Sequence, residues 1–372
     1  MNFKSLLAVA TALITVNAKK IFIDNDGLAS LEALFAISAG YEIVGVSSSF
    51  GSSSLVDSAG AASDVLKTYN LTSCIPNYLG AQQPLLRTNE TFHAWENLFG
   101  DLVWQGAFDA SYADSHSWDN VTYDDSKAGA LALIEAVKSN KDSDPVTIFA
   151  AGMMTTVAQA ISIYPNLVKE AAGLYIMGGY FDNQYAQATG NSITIDINTD
   201  INLIQDPEAA QIVLTSDWKE LVIGGNFTNY LVPSQELYDK IIDKAGSIDL
   251  IRSHPYFSQV SNLLATGNYT ENNDQQKLPF WDAAILFALV NPDTIKETTD
   301  VTVAVDTSFY SPYYGSLKLY SHEWAPKSGY KVANATIVDK IDDEQFYNTV
   351  LDVFFKNWTQ YCEVHGPVAL EI

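Results

Sequence analysis

The amino-acid sequence predicts an α/β fold, namely an open, largely parallel β-sheet flanked by helices, with a helical cap. Two observations lead to this fold class. Short apolar runs alternate with amphipathic segments along much of the 372-residue chain, a rhythm typical of parallel strands joined by crossover helices. Hydrophobic residues make up 47% of the chain and charged residues 17%, which provides a sizeable core and excludes wholesale disorder.

The first predicted strand covers residues 20–24 and leads into a helix over residues 30–39. In that helix Leu31 and Leu34 recur at helical spacing, and Gly40 provides the stop. The next elements are expected in the order strand 43–47, helix 55–69, strand 75–79, helix 127–138, strand 146–150, helix 155–163, strand 174–177, helix 207–215 and strand 220–223.

Residues 82–125 interrupt this alternation and contain Trp95, Trp104 and Trp118, so we interpret them as a surface insertion beside the site. No linker rich in Pro, Gly or Ser follows, and residues 19–372 are therefore predicted to form one domain. Its remaining elements are expected as a helical region over 232–290, β-like runs at 301–305, 315–319 and 330–338, and a closing helix at 342–355.

Residues 1–18 have the pattern of a secretory signal peptide. Lys4 precedes an apolar run that is too short to span a bilayer, and Ala18 marks the expected cleavage site; a buried first strand or helix is the alternative. Cys74 and Cys362 either form a disulfide in an oxidising compartment or remain two buried thiols. A secreted, extracellular glycoprotein is favoured by seven Asn-x-Ser/Thr sequons, at Asn70, Asn89, Asn120, Asn226, Asn268, Asn334 and Asn357.

The formal net charge of −24 arises from 44 Asp and Glu residues against 20 Lys and Arg residues. This charge excludes a basic face of the kind that holds nucleic acid or an anionic membrane. We therefore expect no nucleic-acid and no membrane partner, and instead a neutral or cationic small molecule. A P-loop, a dinucleotide-binding G-x-G-x-x-G and a G-x-S-x-G elbow are all missing from the sequence, and its five histidines lack metal-ligand spacing.

The clearest chemical signal is Asp24-Asn25-Asp26, directly after the first predicted strand. In open parallel sheets ligands bind beyond the carboxyl ends of the strands, where two carboxylates suit a hard cation or the activation of water. The alternative is a turn whose Asp residues cap the following helix. Polar turns also follow three other predicted strands, and together these turns outline a polar crevice at 47–54, 152–156 and 178–180.

An ordered set of short motifs runs along the chain. The motifs are D-N-D at 24–26, L-V-W-Q-G-A-F at 102–108, A-G-M-M-T at 151–155, I-M-G-G at 176–179, D-I-N-L-I-Q-D-P-E-A-A at 200–210 and W-D at 281–282. This set resembles the inosine/uridine-preferring nucleoside hydrolases, most closely their secreted fungal branch. The resemblance implies a calcium-dependent enzyme that cleaves the N-glycosidic bond of purine or pyrimidine nucleosides.

The resemblance also implies roles for individual residues. Asp26 matches the general base, which is also a Ca²⁺ ligand, and the other implied ligands are the backbone carbonyl of Thr155 and the carboxylate of Asp282. Calcium suits such oxygen donors and acidifies a bound water. The residues implied to bind the ribose are Asn191, Asp200 and Asn202, with Asp200 where the family usually has Glu.

The sequence departs from the family pattern D-x-D-P-G-x-D-D. The last two acids of that pattern fall on Ala29 and Ser30, or on Ser30 and Leu31. Glu32 is the nearest carboxylate, but one residue along a helix turns a side chain by ~100°, so we do not expect it to be an equivalent ligand. The site is therefore predicted to bind calcium more weakly than relatives with the complete loop.

Two further departures affect substrate contacts. Trp281 stands where a histidine often protonates the leaving base, and Ser52 stands where an asparagine commonly contacts the sugar. We expect a secreted, calcium-dependent nucleoside hydrolase. The alternative is a non-catalytic nucleoside- or sugar-binding glycoprotein of the same fold, and a homo-oligomer is compatible with either.

Overall fold

The computed structural model describes residues 19–28, 30–102, 104–181, 200–231, 280–327, 329–354 and 360–365, and the single residues 236, 237, 239, 240, 243, 356 and 358. Its strands are β1 (Lys20–Asn25), β2 (Glu42–Ser48), β3 (Asn77–Leu79), β4 (Thr147–Ala151), β5 (Gly173–Ile176), β6 (Leu221–Ile223), β7 (Ile295–Val305), β8 (Leu317–Tyr320) and β9 (Ala333–Ile341). Its helices are α1 (Ser30–Ser38), α2 (Leu55–Thr68), α3 (Asn89–Phe99), α4 (Gly129–Asn140), α5 (Thr155–Ile163), α6 (Leu167–Glu170), α7 (Ile201–Ile204), α8 (Pro207–Leu214), α9 (Trp281–Val290), α10 (Asp343–Phe354) and α11 (Tyr361–His365). None of these helices is both long enough and apolar enough to cross a membrane.

The strands form one nine-stranded sheet in the order β3-β2-β1-β4-β5-β6-β9-β7-β8. The seven strands from β3 to β9 in this order pair in parallel, whereas β7 runs antiparallel to both β9 and β8. The predicted α/β class and the open, largely parallel sheet are therefore confirmed. The signal peptide at 1–18, Asn191 and most of the predicted helical cap lie outside the described residues.

The predicted start of the strand after α9, at residue 301, is wrong, because β7 begins at Ile295. Residues 296–300 are exposed and mostly polar, so they carry no hydrophobic pattern that would indicate a strand. They are instead held in extended form by pairing with β9, with Thr299 opposite Ile337. The backbone partner across the sheet, which a sequence pattern does not reveal, determines this boundary.

β1 is buried on both of its faces. Ile21 and Ile23 enter one core cluster and Phe22 enters the other, because successive strand side chains point to opposite faces. The first cluster also takes residues from α1, α2, α9 and α10, and the second takes residues from α4, α5 and α8. Helices thus cover both faces of the sheet, and the polar turns collect at the ends of its strands.

Three phenylalanine rings join the helices on the first face. Phe35 of α1 packs edge-on against Phe287 of α9 at 5.4 Å between ring centroids, and Phe287 packs against Phe346 of α10 at 5.2 Å. Residues 283–290 of α9 are all buried. This packing holds the start of α9 in a constant position relative to α1 and the loop that precedes it.

Residues 82–125 contain α3 and contribute to a small hydrophobic core separate from the two main clusters. Arg87 is buried there, with its guanidinium 4.8 Å from the centre of the Tyr314 ring. Trp95 is 1% exposed and donates a hydrogen bond of 3.0 Å from Nε1 to the carbonyl oxygen of Ser311. The insertion is thereby anchored to the segment that follows β7.

Asp57 on α2 provides a second anchor for the insertion. Its carboxylate accepts hydrogen bonds from the hydroxyl of Tyr112 at 2.6 Å and from the backbone N–H groups of Ser115 and His116 at 2.9 and 2.7 Å. Burial alone would raise the pKa of Asp57, but these hydrogen bonds outweigh it and lower the pKa to about 2. The ionised carboxylate therefore fixes residues 112–116 against α2.

Cys74 and Cys362 form a disulfide, with their Cα atoms 5.4 Å apart and 288 residues between them in sequence. Of the two sequence-based alternatives, the paired state is the one found. Beside this bond, the hydroxyl of Tyr361 accepts a hydrogen bond of 3.0 Å from the backbone N–H of Ile43. The disulfide and this hydrogen bond both attach α11 to the N-terminal half of the chain.

Replacing Cys74 and Cys362 together by serine is expected to lower the free energy of unfolding by about 2–5 kcal/mol, because the opened chain gains conformational freedom. Denaturant titration followed by tryptophan fluorescence measures this change. Each single serine variant should lose as much stability as the double variant, since either one removes the bond. A double variant as stable as the wild-type protein would contradict this expectation.

Candidate active site

The predicted site residues lie beyond the carboxyl ends of the central strands. Asp26 follows β1, Ser52 lies in the turn after β2, and Thr155 begins α5 shortly after β4. Asp200 directly precedes α7, and Asp282 is the second residue of α9. Residues that are far apart in sequence are therefore brought to one edge of the sheet, where open parallel sheets bind ligands.

Asp26 is 4% exposed and is held by the turn after β2. Its Oδ2 accepts a hydrogen bond of 2.5 Å from the backbone N–H of Ser52. A Cβ on Gly51 would lie 2.0 Å from Oδ2, and one on Gly152 would lie 3.0 Å from the Asp26 nitrogen, so glycine lets both turns close around this residue. Burial raises the pKa of Asp26 to about 6, against the opposing effect of the hydrogen bonds from Ser52.

The turn that holds Asp26 is itself held by the insertion. The carbonyl oxygen of Gly51 accepts hydrogen bonds from the backbone N–H of Ala107 at 3.1 Å and from Nε2 of Gln205 at 2.9 Å. Gln205 is fully buried, and its Nε2 also lies 3.3 Å from the carbonyl oxygen of Gln105. This part of residues 82–125 therefore contacts the turn that positions Asp26.

Asn25 connects the buried carboxylate of Glu32 to the half-buried carboxylate of Asp282 at the same end of β1. Its Nδ2 donates to Oε2 of Glu32 at 2.8 Å and to Oδ2 of Asp282 at 3.3 Å, while its Oδ1 accepts from the backbone N–H of Gly27 at 2.7 Å. Burial and the nearby charge of Asp26 raise the pKa of Asp282 to about 8, partly offset by the bond from Asn25. The sequence singled out Asp282 but not its link through Asn25 to Glu32.

Asp24 lies one residue before Asn25 and is fully buried. Its Oδ1 accepts a hydrogen bond from the hydroxyl of Ser47 on β2, while its Oδ2 has no hydrogen-bond partner among the described residues. Burial raises the pKa of Asp24 to about 7, although the bond from Ser47 opposes this rise. Three carboxylates with raised pKa values, those of Asp24, Asp26 and Asp282, therefore lie close to the end of β1.

Asp26 and Asp282 supply the kind of donors that a hard cation prefers. Asp26 is buried and Asp282 is half-buried, and they are close enough for their charges to repel. Within the part of the chain that the structure describes, no group of three acidic, histidine or cysteine side chains is arranged to hold a metal ion. The two carboxylates are oxygen donors of the kind that fits calcium, and a site built on them would need further oxygen ligands.

Thr155 is held at the start of α5 by Asp206, a residue that the sequence analysis did not single out. Asp206 is fully buried and accepts hydrogen bonds from the Thr155 hydroxyl and from the backbone N–H groups of Leu85 and Ala209. The available signal was its position before Pro207, because an Asp before a proline often caps a helix. One carboxylate thus ties α8, α5 and the start of the insertion together.

Asp200 and Asn202 direct their polar atoms into the protein. Oδ2 of Asp200 accepts the backbone N–H groups of Gly179 and Tyr180, and Nδ2 of Asn202 donates to the carbonyl oxygen of Met177 at 3.0 Å. Burial, which outweighs the hydrogen bonds from the backbone, raises the pKa of Asp200 to about 6. These contacts join α7 to the turn after β5, and the ribose-binding role of both residues stays a prediction.

The sequence analysis also did not single out the side chain of Tyr180 as part of the site. Tyr180 is 7% exposed, and burial together with the charges of Asp200 and Asp282 raises its pKa well above the usual value. Both carboxylates are thus near one phenol. The I-M-G-G motif ends at the residue before Tyr180, which is the only sequence signal for it.

Two indole rings lie at the rim of the site. The rings of Trp104 and Trp281 are 6.3 Å apart between centroids with an angle of 62° between their planes, and Trp104 is 46% exposed. Nε1 of Trp281 donates a hydrogen bond of 2.8 Å to Oδ1 of Asn229. Of the three tryptophans in the insertion, Trp104 is the one that pairs with Trp281, whereas Trp118 packs against Tyr123.

Comparisons with known proteins place this geometry in context. Residues 21–348 match the family described as inosine-uridine preferring nucleoside hydrolase. The uncharacterized protein C800.11 of Schizosaccharomyces pombe is 41% identical over 346 residues, which cover 93% of this chain and 87% of that protein. The pyrimidine-specific ribonucleoside hydrolase RihB of Escherichia coli O157:H7 is 27% identical over 242 residues, which cover 65% and 67% of the two chains.

Solved structures share the fold at low sequence identity. An inosine-guanosine nucleoside hydrolase superimposes with a TM-score of 0.65 at 19% identity, and a plant nucleoside hydrolase superimposes with a TM-score of 0.64 at 17% identity. Each comparison covers 90% of this chain and 98% of the other. With the family match extending over most of the sequence, the chain belongs to the inosine-uridine preferring nucleoside hydrolase family and is a hydrolase that acts on N-glycosyl bonds.

Proposed function

We propose that the chain is a secreted, calcium-dependent nucleoside N-ribohydrolase that cleaves the N-glycosidic bond of purine or pyrimidine nucleosides. The observation that carries this proposal is the placement of Asp26. It is a buried carboxylate at the end of β1, it is held by the Ser52 amide, and it lies close enough to Asp282 for their charges to repel. A hydrolase that adds water across this bond needs a base at a fixed position.

Asp26 is assigned the role of general base. Water attacks the anomeric carbon of the ribose, and its proton passes to Asp26. The bond from that carbon to the base nitrogen breaks, and the electron pair leaves with the base, which takes up a proton from solvent. The Ser52 amide engages Oδ2, so we assign Oδ1 to the water. With its pKa raised to about 6 by burial, Asp26 is a stronger base than free aspartate and is still ionised near neutral pH.

Asp26, Asp282 and the backbone carbonyl of Thr155 are the residues that we assign to calcium. When bound, Ca²⁺ would hold the ribose diol and lower the pKa of the attacking water. Asp200 and Asn202, together with Asn191 and Ser52, are assigned to the ribose. The hydrogen bonds that Asp200 and Asn202 make to the turn after β5 keep both residues in fixed positions.

Trp104 and Trp281 are assigned to the nucleobase. The Nε1–H of Trp281 is donated to Asn229, so this residue offers the base a ring face rather than a proton donor. Stacking on an indole tolerates every base, because each base has a π-face. Relatives and structural neighbours are named as pyrimidine-specific, inosine-guanosine and purine-preferring enzymes, so both classes of nucleoside belong in a substrate panel.

Secretion is supported by features at both ends of the chain. The pattern of residues 1–18 is that of a signal peptide, and the Cys74–Cys362 disulfide is a kind of bond that persists in oxidising compartments. The structure describes the asparagines of five sequons, and four of these are exposed, at Asn70, Asn89, Asn120 and Asn334. In the fifth, Asn226 is half-buried and Thr228 is fully buried, so we expect no glycan at this sequon.

Asp26→Asn is expected to lower kcat at least ~100-fold while preserving the fold, because the amide keeps the shape of the side chain but cannot accept the proton. Wild-type activity should be lost when a chelator is added and should return with calcium. The measurement is the release of base from inosine, uridine and related nucleosides, with circular dichroism as the check on folding. Asp142→Asn, an exposed aspartate between α4 and β4, serves as the matched control and should retain full activity.

Two results would contradict this mechanism: turnover that survives chelation, and turnover that is unchanged in Asp26→Asn. If no nucleoside is cleaved at saturating calcium, the alternative is favoured, namely a non-catalytic nucleoside- or sugar-binding glycoprotein. The positions Ala29 and Ser30, which lack the family's acid pair, are the feature that points to that alternative.

Trp104→Ala is expected to weaken nucleoside binding by about 1–3 kcal/mol, because it removes one stacking surface for the base. Calorimetric titration with a nucleoside, performed with the Asp26→Asn variant as background to prevent turnover, measures the change. Trp118→Ala removes an indole of similar exposure from the same insertion and should leave the affinity unchanged. Equal affinities of Trp104→Ala and its parent would rule out a contact between Trp104 and the base.

The mature chain is expected to begin at Lys19 and to carry N-linked sugar on its exposed sequons, but not on Asn226. Intact-mass measurement before and after enzymatic deglycosylation, followed by peptide mapping, tests both expectations. The natural host, or a eukaryotic secretory host, is the appropriate source of protein. An unmodified chain that retains Met1 would refute secretion, and a glycan on Asn226 would refute the argument from burial.

A further inference from the structure

We propose that Asn25 and Glu32 form a support behind the calcium ligand Asp282: Asn25 positions the Asp282 carboxylate, and Glu32 positions Asn25. The proposal rests on the calcium site of the proposed function. Both residues act through another group and are positioning residues, not ligands. They lie in the loop and helix start where this chain lacks the acid pair of the family pattern, at Ala29 and Ser30 or one residue later.

The orientation of the Asn25 side chain is determined by three contacts. Its Oδ1 accepts from the backbone N–H of Gly27, so the amide must present Nδ2, and not Oδ1, to the two carboxylates. The carbonyl oxygen of Asn25 also accepts from the backbone N–H of Ser49 at 2.9 Å, which fixes the main chain across from β2. Asn25 is 1% exposed, and this amide therefore has a single defined direction toward Asp282.

Glu32 reaches this amide although its position in the helix argues against it. It is the third residue of α1, and the ~100° rotation per residue points its Cβ away from the direction of the missing acids. However, helical side chains lean toward the helix N-terminus, and glutamate is one methylene longer than aspartate. Its carboxylate consequently lies over the preceding turn, where Oε2 accepts from Asn25 at 2.8 Å.

The hydrogen bond between Glu32 and Asn25 gives the arrangement its expected effect on metal binding. The Glu32 carboxylate is 0% exposed, and a buried polar group is costly without a hydrogen-bond partner, which Asn25 supplies. Glu32 then fixes Nδ2 of Asn25, which contacts Asp282, in the way that outer-shell partners orient metal ligands. Removing such partners typically weakens metal affinity about 10–100-fold. A competing explanation is that Glu32 only favours α1 through its helix dipole, which predicts a change in stability alone.

Terbium binding to the full mature chain provides the test. Tb³⁺ substitutes for Ca²⁺ at oxygen sites, and Trp281, next to Asp282, serves as the donor that sensitises its luminescence. Displacement by calcium then gives the calcium affinity without any turnover. Glu32→Met, which keeps the length of the side chain but removes the acceptor for Nδ2 of Asn25, is expected to bind calcium about 10–100-fold more weakly than the wild-type protein.

Two further variants make this test specific. Asn25→Ser removes Nδ2 and should give a similar loss, and the double variant should be no weaker than the weaker single one, because both residues act on Asp282 in series. Glu135→Gln makes the same charge change on the exposed surface of α4 and should bind calcium like the wild-type protein. Melting temperatures without metal report any purely structural effect separately.

Each outcome either supports or overturns the positioning role of Asn25 and Glu32. A Glu32→Met affinity within about twofold of wild type overturns the support role, even if its melting temperature falls, because that result leaves only a contribution to α1. An equal loss in Glu135→Gln would trace the effect to net charge and would overturn the role as well. If the wild-type protein binds neither terbium nor calcium, the calcium part of the proposed function fails, and the role of Asn25 and Glu32 fails with it.

Discussion

The burial of carboxylates at one end of β1 is the constraint on which the site depends. A buried ionised carboxylate is costly unless a hydrogen bond or a positive charge compensates it. Around Asp26 and Asp282 the compensation comes from neutral donors, the Ser52 amide and the Asn25 side chain, and it is incomplete because the pKa values of both acids stay raised. Both acids therefore hold their protons to a higher pH than free aspartate does. A positive charge bound beside them would favour their ionised forms.

The positions of these donors are set by segments that lie far away in sequence. Ser52 can reach Asp26 because Gly51 allows a close approach, and Gly51 is in turn held by Ala107 and Gln205. The insertion is anchored by its own small core and by Asp57 of α2. A substitution in the insertion can therefore disturb the base without touching it. This arrangement also connects the segment that carries Trp104 directly to the turn that contacts Asp26.

The order of strands and helices could be predicted because apolar periodicity is a property of the local sequence. The strand β1 and the loop that follows it are an example of elements predicted in this way. The same holds for the site residues at strand ends, since the topology of a parallel sheet brings them together. Glu32 is a case in which this reasoning fails. The rotation per helical residue predicted the direction of its side chain, but the position of its carboxylate depends on the length of the side chain and on its tilt toward the helix N-terminus. The proximity of Tyr180 to Asp200 and Asp282 depends on residues across the crevice. The start of β7 at Ile295 depends on its pairing with β9. A single sequence reveals neither kind of partner.

The disulfide has a consequence for how the protein is made. Cys362 is synthesised 288 residues after Cys74, so the bond cannot close until the whole nine-stranded sheet, including β9, has been synthesised. Until then Cys74 carries a free thiol. A chain that ends upstream of Cys362 would therefore keep this thiol permanently, whereas the complete chain loses it when the bond forms. The disulfide is thus present only in a chain that has been synthesised as far as Cys362 and has folded.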